Sequence, residues 1–307
     1  LIASGETTIC FRVKGGTVLG EEIVKSVVIT GVSTGIGNAA ARVLAQKGFR
    51  VFGSVRKEAD AESLKRDLGD RFVPLIFDVT DEAGIARGAA QVREALAGET
   101  LAGLVNNAGI AVSGPLIDLD PDEFRKQMEV NVTGPFLVTQ AFAPLLGVDR
   151  ALKGAPGRII NISSVAGIRA MPFLGPYAAS KFAVEGFSEA LRRELVMFGI
   201  DVVVIGPGPV KTAIWDKAEE IDIARYANSP YLPILEKFQN VFVAQGREGY
   251  PAERLGNLIH EALTTPKPKL RYSAVKGRLA EKLVMNFASK RVLDKMIAKM
   301  LGLQRQR

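Results

Sequence analysis

The sequence predicts an α/β fold: one domain with a doubly wound parallel sheet of about seven strands and helices on both faces. Three observations predict it. Short β-branched runs alternate with amphipathic helical stretches from Ser26 onward. A glycine-rich turn, TGVSTGIG (30–37), joins the first strand to the first helix. No repeat, linker or low-complexity segment divides the 307 residues, a length that suits one large domain.

The elements follow in order. SVVIT is the first strand and NAAARVLAQKG the first helix. Then come RVFGSV, the helical ADAESLKRDLG, FVPLIFDV, the helical EAGIARGAAQVREALAG and LAGLVNNAG. The long helical stretch PDEFRKQMEVNVTGPFLVTQAFAPLL precedes GRIINISS, a helix around Tyr177, and DVVVIGPG. Six strands therefore precede about residue 206, and KLRYSAV supplies a last one. Buried apolar strands linked by helices imply right-handed βαβ crossovers and hence parallel pairing.

Four segments stand outside this alternation. Residues 1–25 form an N-terminal extension that carries no functional argument. LGVDRALKGAPG (146–157) reads as a surface loop insertion. Residues 207–250 mix Pro, Gly and aromatics without a clear period and read as a substrate lid over a domain spanning 26–277. Residues 278–307 read as a basic amphipathic helix, with Lys282, Lys290, Arg291, Lys295 and Lys299 among apolar positions.

Composition narrows the function classes. One cysteine, Cys10, permits no internal disulfide and points to a reducing, cytoplasmic compartment. One histidine, His260, excludes a His-cluster metal site, so no metal is expected; its setting, LGNLIHEAL, is that of an ordinary helix residue. The net charge is +7, but the basic residues are scattered until the C-terminus, which argues against nucleic acid. No apolar run approaches the ~18 residues of a membrane span.

Two motifs carry chemistry. In the turn Gly31–Gly37, glycines at 31, 35 and 37, with Ser33, Thr34 and Ile36 between, let backbone amides approach a ligand at a helix N-terminus. That is an anion site suited to a pyrophosphate, the plain alternative being a tight turn without ligand. In GPYAASKFAVEG, Tyr177 precedes Lys181 by four residues, so the two share a helix face. A cation beside a phenol makes the phenol more acidic, the plain alternative being a solvated helix face.

Five elements in order, TGVSTGIG, NNAG (106–109), Asn131, NISSVAG (161–167) and YAASK, resemble the short-chain dehydrogenase/reductase family over residues 26 to 275, with GPGPVKT after the sixth strand. GFRVFGSV and the long C-terminal extension are closer to the hydroxysteroid and retinol dehydrogenase branch. The resemblance implies a Rossmann fold and an NAD(P)-dependent oxidoreductase acting on CH–OH groups. It assigns Tyr177 as general acid and base, and gives Lys181 the tasks of favouring the phenolate and bonding the nicotinamide ribose. Ser164 would hold the substrate oxygen, with Ser163 facing the other way, and Asn131 would hold a water in a proton relay. A cap or helix kink is the other reading of Asn131.

The cofactor set carries over in the same way. It comprises Gly31, Ser33, Thr34, Gly35, Ile36 and Gly37 in the turn; Asp78 and Val79 at the adenine; Asn107, Ala108 and Gly109, with Asn106, as the floor. Pro207, Gly208, Val210 and Thr212 would lie at the nicotinamide end. No acid ends the second strand, where Val55 is followed by Arg56, and an arginine there suits a 2′-phosphate. NADP is therefore expected, with NAD kept open by the nearby Glu58 and Asp60. Met171, Phe173, Leu174, Trp215, Tyr226, Tyr231, Leu232, Phe238 and Phe242 would wall a small lipophilic substrate, steroid-, retinoid- or acyl-like. A homodimer or homotetramer is implied through the helices after residues 121 and 175. The competing classes are a catalytically silent NADP-binding regulator and a membrane-surface protein anchored by its C-terminal helix.

Overall fold

The computed structural model describes residues 24–212, 223–275 and 289–303. Cys10, Trp215, Lys282 and almost all of the N-terminal extension lie outside the described residues. The main sheet has seven strands: β1 (Ser26–Ile29), β2 (Arg50–Val55), β3 (Phe72–Ile76), β4 (Gly103–Asn106), β5 (Arg158–Ile162), β6 (Asp201–Pro207) and β9 (Arg271–Ala274). Their spatial order is β3-β2-β1-β4-β5-β6-β9, all pairs parallel. The order reverses between β1 and β4, and a ligand crevice opens at the carboxyl ends of the strands there. The expected doubly wound sheet is present, with its last strand where KLRYSAV placed it.

Alternation along each strand feeds two cores. Val27 and Ile29 face one side of β1 and Val28 the other. The first side packs on α1 (Gly35–Gln46), α2 (Glu58–Leu68) and α8 (Ala252–Thr264), through Ala41, Leu44, Leu64 and Ile259. The second packs on α3 (Glu82–Leu96) and α5 (Gly134–Phe142), through Val92, Val138 and Phe142. These strands are short apolar runs because both faces are covered.

The stretch read as one long helix after residue 120 is broken. Helix α4 (Pro121–Met128) passes into a π-helical turn, Glu129–Thr133, before α5, and a 3-10 turn, Ala143–Leu146, ends it. The run VNVTG supplies three β-branched residues, Val130, Val132 and Thr133, of low helical preference and a glycine, so the wider turn costs little there. The 146–157 insertion is a loop, but a tethered one: Thr100 N donates to Lys153 O at 2.8 Å and Lys153 N to Gly98 O at 2.8 Å.

The 207–250 segment is more regular than expected. It holds β7 (Val210–Lys211), a 3-10 turn (Ile223–Tyr226), helix α7 (Leu232–Arg247) and β8 (Tyr250–Pro251), which pairs with β7. Leu235, Phe238 and Phe242 do recur at helical spacing, but Pro233 and Gly246 at the two ends obscured the period. A third cluster joins this lid to the loop before α6 (Gly175–Glu194): Phe173, Leu174, Tyr226, Leu235 and Phe238 are buried together, with Leu301 of the last helix, α9 (Lys290–Leu301).

One side chain ties the far end of α8 to the sheet. Arg158 donates to Ala262 O at 2.9 Å and to Thr265 O at 2.6 Å, and its Nε lies 3.2 Å from Asp201. Arg158→Met keeps the apolar stem but strands these acceptors, so it should destabilise the fold by about 1–3 kcal/mol. The check is urea denaturation, read as a lower midpoint at an unchanged slope; an unshifted midpoint would show that the tie is idle.

Candidate active site

The site lies in a cavity of about 1650 Å³ at the carboxyl ends of the strands. One end is the glycine-rich turn. Gly31 has φ +69°, in the left-handed region that favours glycine. A Cβ at Gly37 would collide with the Gly31 carbonyl and the Asn107 amide. Asn107 secures the turn from the next strand, its Nδ2 donating to Thr30 O at 2.9 Å and Gly31 O at 3.0 Å. Thr30 Oγ1 accepts from the amides of Asn107 and Ala108, both at 3.0 Å. Ser54, which the sequence reading omitted, accepts from Gly31 N at 3.0 Å and also borders the cavity. Its signal was there, a polar residue inside an apolar strand.

The turn fits a diphosphate. Thr34 caps α1 with extended backbone and no side-chain cap bond, and no acid stands in the first turn. The amides at this helix start are therefore open to an anion, and no carboxylate repels it. Ser33, Thr34, Gly35 and Ile36 all border the cavity here. Beside them, Arg56 and Asp78 stand 3.8 Å apart, both well exposed. An exposed pair of this kind is worth ~0–1 kcal/mol, too little to commit the guanidinium to Asp78.

The floor and the opposite end bring most of the expected set together. Val79, Asn107, Ala108 and Gly109 border the cavity, as do Pro207, Gly208, Val210 and Thr212. Thr212 reaches back to the turn: a Cβ at Gly35 would lie 3.5 Å from its methyl group. Asn106 differs from expectation. It is buried beneath the floor, where its Nδ2 donates to Asn161 Oδ1 at 2.8 Å and Thr139 Oγ1 at 3.1 Å. Its position at the last residue of β4 turns it inward, while Asn107 turns toward the groove.

Tyr177, Lys181, Ser164 and Asn131 converge where β5 ends and α6 begins. Ser164 caps the short 3-10 turn Val165–Gly167, its Oγ accepting from Ala166 N at 3.1 Å. It also hydrogen-bonds Tyr177. Ser163 is likewise at the cavity edge, but its buried Oγ has no partner and lies close to Gly167. Lys181 is buried, with Nζ donating to Ile162 O at 2.9 Å and lying 5.7 Å from the centre of the Tyr177 ring. Asn131 points inward from the π-helical turn: Oδ1 accepts from Ile110 N at 2.9 Å, and Nδ2 donates to Ile110 O at 3.0 Å and Ser180 Oγ at 3.1 Å. A Cβ at Gly109 would sit 3.1 Å from Asn131 Oδ1 and 3.8 Å from Lys181 Nζ, so this glycine lets the two groups approach.

Burial dominates the electrostatics of this pair. Burial pushes the Tyr177 phenol above its ordinary range, and the Ser164 hydrogen bond only partly counters it. Although the ring borders the cavity, its hydroxyl is deep enough that the phenolate is poorly solvated. Burial likewise lowers Lys181 to about 8, opposed by the Glu185 carboxylate. Lys181 is still mainly an ammonium at neutral pH, and loses that charge more readily than a solvated lysine as the pH rises. The resting site therefore holds a protonated tyrosine.

The substrate wall is divided. Met171, Leu174, Phe238 and Phe242 border the cavity, whereas Phe173, Tyr226 and Tyr231 belong to the lid cluster behind it. Helix α9 adds Leu293, Met296, Ile297 and Met300, a wall the sequence reading missed. The stripe 293/297/301 at helical spacing was its signal. This helix packs on its own domain, Leu293 and Leu301 being buried, with its cations outward. Arg225 of the lid donates to Glu123 at 2.9 Å, and Ser229 to Asp118 at 2.6 Å, which fastens the lid to the edge of α4. Among the described residues no group of His, Cys, Asp and Glu could hold a metal ion, and no helix is long and apolar enough to cross a membrane.

Residues 25–222 match the model of the short chain dehydrogenase family. An NADPH-dependent 3-dehydrocapnine reductase from Ornithobacterium rhinotracheale is 39% identical over 272 residues, covering 89% of this chain and 95% of that protein. Retinol dehydrogenase 7 from Rattus norvegicus is 35% identical over 268 residues, covering 81% and 80%. The crystal structure of a short chain dehydrogenase from Burkholderia cenocepacia in complex with NADP superposes with a TM-score of 0.66 at 25% identity, covering 91% of this chain and 98% of that one.

The buried lysine sets a pH dependence of stability. Unfolded, Lys181 titrates near 10.5; folded, near 8. Between these values the unfolded chain binds more protons, so the lysine's burial penalty is full below pH 8 and relieved as pH rises toward 10.5. Lys181→Met removes the penalty at every pH. The stability gap between variant and wild type should therefore shift in favour of wild type between pH 8 and 10, by up to a few kcal/mol. Chemical denaturation at both pH values checks this, and a constant gap would refute it.

Proposed function

We propose that this chain, an oxidoreductase belonging to the short-chain dehydrogenase family and to its retinol-dehydrogenase-like branch, uses NADP(H) to interconvert a lipophilic alcohol and its ketone or aldehyde, with Tyr177 moving the proton. The observation that carries the reading is the hydrogen-bonded pair of Tyr177 and Ser164 above a buried lysine, opening on an apolar cavity.

In this reading the dinucleotide lies along the crevice, and when bound its nicotinamide supplies or accepts the hydride. The amides of Gly31–Gly37 hold the diphosphate, Asp78 and Val79 the adenine, and Thr212 with Pro207, Gly208 and Val210 the carboxamide end. Arg56 reads the 2′-phosphate, a choice supported by the NADPH and NADP named for the two relatives above. Ser164 donates to the substrate carbonyl oxygen and fixes it near Tyr177. In reduction Tyr177 gives that oxygen its proton while hydride reaches the carbon; in oxidation it takes the proton back. Lys181 bonds the ribose, and Asn131 holds a water through which the tyrosine recovers its proton.

The same reading includes a cytoplasmic protein that pairs with copies of itself. Phe124 of α4, Phe136 of α5 and Phe182 of α6 are exposed on or beside the helices named for subunit contact. A second mode, contact of the cations of α9 with an anionic lipid surface, draws on exposed Lys295 and Lys299 beside Met296 and Met300.

Four outcomes test these assignments. Tyr177→Phe should abolish turnover and spare nucleotide binding, and Ser164→Ala should cost more activity than Ser163→Ala. Retained activity in the tyrosine variant would end the mechanism, and the reverse serine order would exchange the two serines. Arg56→Asp should shift the ratio of kcat/KM for NADPH over NADH downward about tenfold, the worth of one lost charge-assisted contact. An unchanged ratio at constant ionic strength would leave Arg56 a solvated arginine. Sedimentation at micromolar concentration should give a dimer or tetramer; a monomer would refute self-association.

A further inference from the structure

We propose that Arg169 forms an anion subsite beside the reacting carbonyl, so that the cavity selects amphiphiles carrying an acidic group a few bonds from a ketone. The proposal rests on the roles given above to Ser164, Tyr177 and Lys181, and names the substrate class within that reading.

Arg169 is half-buried and borders the cavity. Its amide donates to Val165 O at 3.1 Å, which closes one helical turn on the residue after Ser164. A turn advances the chain by only ~5.4 Å, so the guanidinium is carried from the serine's own loop and not from the far wall.

Among the described residues its charge is unmatched. The other arginines that border the cavity have carboxylate neighbours, Arg56 with Asp78 and Arg125 with Asp122. Among the described residues, Arg169 has neither an ion pair nor a side-chain hydrogen bond. Two carboxylates border the cavity, Asp78 and Glu129, and neither pairs with it. Among the described residues Lys126, also at the cavity edge, has no ion pair either, but it is exposed and stands on α4, away from the serine loop. Around Arg169 the lining is apolar: Ile168, Met171 and Leu174 come from the same loop. A cation retained in such a wall is partly stripped of water, which strengthens a hydrogen bond to an anion. The planar guanidinium matches the paired oxygens of a carboxylate, phosphonate or sulfonate.

The wall of Phe238, Met296 and Met300 then takes an alkyl tail while Arg169 takes the headgroup. A neutral ketone of equal length would fill the same wall and leave the arginine without a partner. Tail length sets how much apolar surface is buried, and the headgroup sets where the carbonyl stops relative to Ser164.

The test is a matched pair of probes, a long-chain β-oxo alkylphosphonate and its dimethyl ester, each followed by NADPH oxidation. The wild type should favour the free phosphonate by about tenfold or more in kcat/KM. Arg169→Gln should bring the ratio near one, chiefly through KM for the phosphonate, and Arg169→Lys should recover part of it. Unchanged thermal midpoints and NADPH binding show that the variants are folded. Reduction of the ester without preference for the acid, or a preference that survives Arg169→Gln, overturns the anion subsite alone. Reduction of neither probe overturns both the subsite and the carbonyl-reducing reading on which it rests.

Discussion

Much of this structure follows from holding one lysine ammonium in the interior. Lys181 is 6% exposed, and a charge so placed costs several kcal/mol unless polar groups meet it. The Ile162 carbonyl at the end of β5 is its direct partner. Gly109 leaves the room above it, and the π-helical turn swings Asn131 inward to the neighbouring space. Asn131 and Gln127 in turn bond Ser180, so α4 and α6 are pinned by the same polar layer. One turn beyond the lysine, Glu185 meets Arg271 of β9, whose Nη2 donates to the Ser164 carbonyl at 3.2 Å. The serine, the lysine and the edge strand are thus positioned by one connected set of bonds.

The cost of that arrangement is visible in the titration of its members. Burial that makes the site dry also raises the tyrosine and lowers the lysine, so neither is charged as freely as it would be in water. A dry site keeps a neutral donor in place for a carbonyl oxygen, and electrostatic interactions made with a bound ligand gain strength there.

Where side-chain period and strand order suffice, the sequence was legible. SVVIT, RVFGSV and GRIINISS became β1, β2 and β5, and Tyr177 and Lys181 lie one turn apart on α6 as their spacing implied. Asn106 was misjudged because two adjacent asparagines share a motif but not a face, and only the end of β4 decides which turns inward. The π-helical turn was legible only as a kink at Asn131 in the poor helical run VNVTG, because its wider form depends on what Asn131 reaches. Helix α7 was hidden by its flanking Pro233 and Gly246. The role of α9 in the wall was missed because a stripe of Leu and Met identifies a buried face without naming its partner, which here lies more than fifty residues earlier.

The attachment of α9 has a consequence for descent with modification. Its buried Leu301 and half-buried Ile297 join the lid cluster of Phe238 and Leu235 and not the two cores that grip the sheet. Replacing Ile297 or Met300 reshapes the chamber without disturbing the strands that align Ser164 and Tyr177. Mutational drift in this segment is therefore filtered by what the chamber admits, while drift in β4 and β5 is filtered by whether reaction occurs at all. Two rates of change are built into one chain, and a lineage can acquire new molecules to act on while its chemistry stays still.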